Sequence, residues 1–326
     1  MPSVKNDTAL IDAFLVLQIT GAVAFAIIVL SACIFRQNAK RHPIWFSFCV
    51  SWILFGISYS FLLFAGQQFK LSPKRIPCTI QAGLVYAAPY LVMGTTIGLI
   101  VHLLLNVLAA LSQSPKRFNY RNLLNGLVVF PWTVWVAAIV GLLVFGFSHP
   151  DQVGMSPNGT YCVIMNSSIP KITSVSATVA CTIIIAIEFV IGTLLYRNRA
   201  IVNVFSQSLV MAVRILIFTI LGFGALGIGL VFVITRTRGA AFDLVISVLP
   251  PAAAFTFGTQ TDLLKGWLFW KRAQPEVGVE QSVLTLTTVA SNSSQIFPAH
   301  AAKEPIQSNP APPYLKLANA SSFLNF

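Results

Sequence analysis

The sequence predicts an all-α membrane protein: a seven-transmembrane helix bundle with its N-terminus outside, its C-terminus inside and a short amphipathic helix after the seventh span. Three observations predict it. The 326 residues are 56% hydrophobic and 9% charged, with a mean hydropathy of +0.78, whereas soluble domains carry about a quarter charged residues to cover a wetted surface. The apolar residues come in long runs of about 20 or more, the length that crosses a bilayer core as a helix. The cations lie between those runs in twos and threes and form no continuous basic face, so the net charge of +12 flanks a membrane and is no nucleic-acid footprint. A soluble enzyme is excluded.

The first run, about Ala9 to Phe35, is interrupted near its start by Asp12 and Gln18 and has no small-residue cleavage site after it. It reads as a retained anchor, not a removed signal peptide. The second and third run from about Ile44 to Ala65 and Thr79 to Leu111. The fourth, Leu123 to Phe147, contains Pro131, expected to kink it, and Trp132 and Trp135, read as lipid-facing or packing residues. The fifth and sixth are Ile172 to Leu195 and Leu209 to Ile234; Gly222, Gly224, Gly227 and Gly229 in the sixth favour close helix approach or bending. The seventh, Ala240 to Phe257, carries the pair Pro250 and Pro251, a candidate hinge.

Beyond it, LLKGWLFWKR puts Leu263, Leu264, Trp267 and Leu268 on one stripe, while Lys265 and Lys271 reach anionic lipid head groups. From Ala273 the chain turns to Ser, Thr and Pro and cannot bury enough apolar area to fold alone. The expected organisation is a short extracellular N-terminus (1–8), a seven-helix domain (9–258), an interfacial amphipathic helix (259–272) and a disordered cytoplasmic tail (273–326), whose hydroxyl cluster is open to phosphorylation.

Short loops rich in Lys and Arg stay cytoplasmic. With the N-terminus outside, twelve cations fall near the inner surface, in the groups around Lys40, Arg117, Arg199 and Lys271. Seven fall outside: Lys5, Lys70, Lys74, Arg75, Lys171, Arg236 and Arg238, the cluster from Lys70 to Arg75 running against the bias. Glycosylation sequons at Asn6, Asn158 and Asn166 all lie on segments placed outside.

Of the five cysteines, Cys33, Cys49 and Cys181 lie in apolar runs and read as small buried hydrophobes. Cys78 lies at the outer mouth of the third span and Cys162 in the loop between the fourth and fifth, so both face an oxidising compartment and form a candidate disulfide.

Seven helices, an outside N-terminus and a cysteine at the top of the third helix with a partner in the second outer loop resemble the G-protein-coupled receptor superfamily. The strings CTIQAGLVYAAPY (Cys78 to Tyr90) and LPPAAAFTFGTQTDLL (Leu249 to Leu264) are similar to orphan receptor-like proteins of mushroom-forming fungi. The resemblance covers about residues 10–272 and implies a receptor role with no particular ligand. The chain departs from rhodopsin-like receptors: its third helix ends LLLNVLAALSQSPKR without an acidic-Arg-aromatic triplet, and Pro250 and Pro251 stand where Asn-Pro-x-x-Tyr would. Coupling to a heterotrimeric G protein is therefore an analogy of architecture.

Ionisable groups at bilayer depth cost several kcal/mol unless they face protein or water, which makes each a functional candidate. His102, Glu188 and Arg214 lie at similar depths in the inner half of the third, fifth and sixth spans, with Asn106 one turn below His102. They form either a two-state lock, with Glu188 paired to Arg214, or a static polar network with Arg214 snorkelling to the surface. On the outer half, Tyr86 and Tyr90 suit a ligand-cavity wall formed with helices five to seven, or equally helix packing.

The expected function is a plasma-membrane receptor for an extracellular ligand that signals to a cytoplasmic partner. A small-solute transporter is the alternative, weakened by the odd helix number and the lack of repeated halves. A retinal protein needs a lysine in the seventh span, and none is there. No phosphate-binding glycine loop, zinc spacing or catalytic constellation is present, so neither an enzyme nor a cofactor is expected.

Overall fold

The computed structural model describes residues 8–34, 42–70, 73–111, 120–165, 167–197 and 240–259, with eight helical positions between 213 and 227. Six helices are continuous: α1 (Thr8–Ile34), α2 (Pro43–Phe64), α3 (Arg75–Leu111), α4 (Tyr120–Ser148), α5 (Ile169–Arg197) and α6 (Ala240–Gly258). The first five are long and apolar enough to cross a membrane, and α6 is a shorter apolar helix. The protein is a helical membrane protein. Their ends fall within about four residues of the predicted spans, because apolar length sets where each helix stops being wetted. The expected interfacial helix and tail, residues 260–326, lie outside the described residues.

Local chemistry fixes the ends of α2. Pro43 opens it without wasting a backbone donor, and His42 Nδ1 caps it by accepting from the Ile44 amide at 3.3 Å. Partial burial holds the His42 imidazole pKa below its ordinary value, in keeping with an accepting, neutral ring. At the other end Gly66 turns left-handed (φ +63°), and the amides of Gly66 and Gln67 close back on the carbonyls of Leu63 and Leu62. This glycine-ended closure satisfies two carbonyls the helix leaves orphaned.

α3 is the mast. Its 37 residues extend about 55 Å, well past a bilayer core, and it packs against α2, α4, α5 and the loop strands. It meets α4 through small residues: Gly94 and Gly98, one turn apart, admit Pro131 and Leu127, so a Cβ on Gly94 would fall 2.9 Å from Pro131 Cβ. Pro131, expected to bend α4, is thus also a packing knob in α3. Trp132 is a packing residue, its Nε1 donating to Ser47 Oγ of α2 at 2.8 Å.

α1 is clamped between α2 and α6. Gly56 lies under the Gln18 carbonyl, where a Cβ would sit 2.7 Å from the oxygen; Gly21 lies under the Pro250–Pro251 peptide, where one would sit 2.8 Å from the Pro250 carbonyl carbon. The pair expected to act as a hinge is therefore seated against another helix. Gly21→Val is expected to push α6 off α1 and to cost at least about 1–3 kcal/mol, the usual penalty of overpacking, read as a lowered thermal midpoint of the purified protein in detergent. Aromatic rings fill the seam: Phe25 stacks on Trp52 at 6.0 Å and Phe48 meets Phe257 edge-on at 4.6 Å.

Between α4 and α5 lie a single 3-10 turn (Pro150–Gln152) and two short antiparallel strands, β1 (Val153–Met155) and β2 (Cys162–Ile164), paired Val153 with Ile164 and Met155 with Cys162. The turn of this hairpin uses Gly159 at φ +72°. Its strands carry no alternating pattern; β2 is buried throughout.

Candidate functional site

The hairpin covers one end of the bundle as a lid, and its anchors can be followed residue by residue. Cys162 on β2 is disulfide-bonded to Cys78 in the first turn of α3, with their Cα atoms 5.3 Å apart, and both are buried. Three residues on, Gln81 is fully buried and bridges: its Nε2 donates to the Tyr59 carbonyl of α2, and its Oε1 accepts from the Cys162 amide, each at 2.9 Å. Beyond the end of α2, Gln68 Nε2 donates to the carbonyls of Gly159 and Thr160 at 3.0 and 2.9 Å.

The last anchor is the Asp243 carboxylate in the first turn of α6, only 3% exposed. Its Oδ2 accepts from Asn158 Nδ2 and Thr160 Oγ1, both at 2.8 Å, and its Oδ1 from the Tyr161 hydroxyl at 3.2 Å. Three donors from one turn stabilise the carboxylate there. Tyr161 reaches down between helices, stacking on Phe14 of α1 at 5.7 Å and meeting Tyr59 edge-on at 5.2 Å. The lid thus joins α1, α2, α3 and α6.

Asn158 is both a sequon residue and a member of this latch: the nitrogen a glycan would take is the one that donates to Asp243. Asn6 and Asn166 lie outside the described residues. Asp243 was missed by sequence reasoning although the signal was present, since it is the single acidic residue within the seventh apolar run and intramembrane acids are functional candidates by default.

Beside the lid is a cavity of about 1050 Å³ between the hairpin-end halves of α3, α4 and α5. Tyr90 lines it, together with Leu142, Phe145, Gln152, Lys171 and Thr173. Tyr86, one turn away on α3, faces the buried core and is not one of its walls. This cavity is walled by α3, α4 and α5, whereas most of the sixth predicted span, which the expected cavity uses, lies outside the described residues.

At the opposite end lie three of the four residues of the expected polar cluster. Glu188 Oε1 accepts from Thr219 Oγ1 at 2.8 Å, which brings the fifth and sixth predicted spans together, while its Oε2 is buried and accepts from no donor among the described residues. His102 stacks on His42 at 4.4 Å, linking α3 to the start of α2. Asn106 is half-buried on α3, and Arg214 lies outside the described residues. No group of three or more metal-ligating side chains occurs among the described residues.

Comparison with protein-family models and with curated proteins returns no match.

Proposed function

We propose that the chain is a seven-helix plasma-membrane receptor of the G-protein-coupled type, which senses an extracellular ligand and relays it by helix rearrangement to a cytoplasmic partner, a heterotrimeric G protein being the best candidate. The observation that carries this reading is the lid. A hairpin bound covalently to α3 and by a buried carboxylate to α6 couples events at that face to the relative position of the two helices.

Direction of travel supports seven crossings. α5 starts at the lid and runs away from it, whereas α6 starts at the lid again, an arrangement that supports a further crossing between them, as the predicted sixth span would supply. A disulfide belongs to an oxidising compartment, which supports an outside lid and, with it, an outside start of α1 beside Phe14. The C-terminal segment then leaves α6 on the cytoplasmic side, where Arg117, Arg121, Arg197 and Arg199 are available to a partner.

The Glu188 contact with Thr219 is the kind of link between the fifth and sixth spans that a closed state needs. Expressed with a set of G-protein alpha subunits and a ligand library, the receptor is expected to give a ligand-dependent response with at least one subunit. Glu188→Leu, which removes the acceptor for Thr219, is expected to raise the ligand-free signal about threefold or more, as loss of roughly 1 kcal/mol from the closed state would do. Solute accumulation in proteoliposomes without any partner would refute the reading.

A further inference from the structure

The tip of the lid carries an Asn-Gly pair, Asn158–Gly159, which is chemically unstable in a mobile chain. The backbone nitrogen of the second residue attacks the side-chain carbonyl carbon of the asparagine, and glycine has no Cβ to hinder the approach. Here both nitrogens are held. The leaving group, Asn158 Nδ2, donates to Asp243 Oδ2 at 2.8 Å, and the nucleophile, Gly159 N, donates to the Ser156 carbonyl at 2.9 Å. The Gly159 carbonyl is fixed as well, accepting from Gln68 Nε2 at 3.0 Å, and Gly159 is buried. Attack requires the Gly159 amide to lose its proton and turn toward Asn158 Cγ, which breaks the bond to Ser156 and draws Nδ2 away from Asp243. The other Asn-Gly pair of the chain, Asn125–Gly126, lies inside α4, where helical hydrogen bonding holds the glycine nitrogen away from the side chain whatever the lid does.

We propose that Asn158 is a one-way modification site: it loses its amide only when the lid leaves α6, and the product keeps the lid off. In the open lid Gly159 N gives its proton to hydroxide and forms a bond to Asn158 Cγ; the Cγ–Nδ2 bond breaks and the nitrogen leaves as ammonia. Water then opens the cyclic imide at either carbonyl, giving aspartate or isoaspartate at position 158 with no change of oxidation state. At neutral pH the new carboxylate faces Asp243 where a donor stood, and two like charges at that distance repel. Isoaspartate also adds a methylene to the backbone and so displaces Thr160 and Tyr161 from Asp243. A brief opening becomes a lasting one. Neither step rests on the receptor reading.

The test ages the full-length protein in nanodiscs in mildly alkaline buffer and follows amide-to-acid conversion by peptide mass spectrometry, with Asn125 as the internal reference. A free peptide of residues 154–161 sets the unprotected rate. Asn158 in the folded protein is expected to convert at least about tenfold more slowly than in the peptide, because only the open lid reacts. Asp243→Ala is expected to restore at least about tenfold at Asn158 while Asn125 stays unchanged, and Asp243→Asn, which keeps one acceptor, should fall between. As a mimic of the product, Asn158→Asp is expected to accelerate amide exchange across Val153–Ile164 more than Asn158→Ala, since repulsion is added to the lost donor. The peptide comparison and Asn158→Asp decide the matter even where Asp243→Ala fails to fold. Conversion of the folded protein at the peptide rate overturns the proposal, as does exchange in Asn158→Asp no faster than in Asn158→Ala. A glycan on Asn158, which leaves no free amide to lose, would overturn it too.

Discussion

Asp243→Ala is expected to release the lid from α6. The carboxylate accepts from Asn158, Thr160 and Tyr161, and hydrogen bonds to a charged acceptor contribute about 1.5–3 kcal/mol each. The three share one group and sit at a mouth that water can enter once opened, so their sum overstates the loss; about 2–4 kcal/mol is expected. The substitution also takes an acceptor from two buried partners, since Thr160 is fully buried and Tyr161 nearly so. The measurement is amide hydrogen exchange across Val153–Ile164 in nanodiscs, where at least about a tenfold acceleration is expected, with little change in α3 around Leu99. Asp243→Asn keeps one acceptor and should fall between. Unchanged exchange in the alanine variant would mean that the latch carries no load. Asn158→Ala removes only one donor and should show a smaller version of the same effect. If Asn158 carried a glycan, Asn158→Gln would lower the apparent mass on a gel; with the latch formed as described, no such change is expected.

Removing the disulfide is expected to have the largest effect of any single substitution. In solution, cross-linking residues 84 apart removes about 4–5 kcal/mol of unfolded-chain entropy. Helices that remain inserted already restrain the open state, so less than that figure applies here. The local losses add to it: Cys162 is fully buried, its amide is held by Gln81, and a lone thiol or hydroxyl in that position leaves both unsupported. Cys162→Ser and Cys78→Ser are each expected to lower folded protein at the cell surface at least about fivefold, and the double variant should be no worse than either single one, because the bond is lost once. Burial of both sulfurs further implies that reductant added to the folded protein acts slowly, at the rate of lid opening. Surface expression of Cys162→Ser at the native level would contradict the anchoring role.

Apolar length made the helices legible and the same quantity hid the site. Span ends such as Ala9 against Thr8, or Leu123 against Tyr120, differ little, since transfer out of the bilayer ends a helix whatever its packing. Cys78 and Cys162 were legible because each lay at a predicted outer surface. Which faces meet was not legible. Gly94 and Gly98 are two small residues among many in the sequence, and nothing near them shows that Pro131 and Leu127 lie against them, or that Gly21 lies beneath Pro250–Pro251. The hairpin was invisible because three-residue strands in a loop carry no period. Asp243 was readable as an acid in an apolar run, but nothing in the chain near it reveals that Asn158, Thr160 and Tyr161, more than 80 residues earlier, supply its donors. Tyr86 and Tyr90 looked equivalent because one helical turn separates them; α3 is in contact on nearly every side, so that turn places one in the core and the other in a cavity.

The central claim is that the lid faces the exterior at the start of an odd number of crossings. Epitope tags at the two termini, read by antibody on intact and on permeabilised cells, test it most directly. The N-terminal tag is predicted to stain intact cells and the C-terminal tag only permeabilised ones; both tags on the same face would contradict the receptor topology and every functional statement built on it.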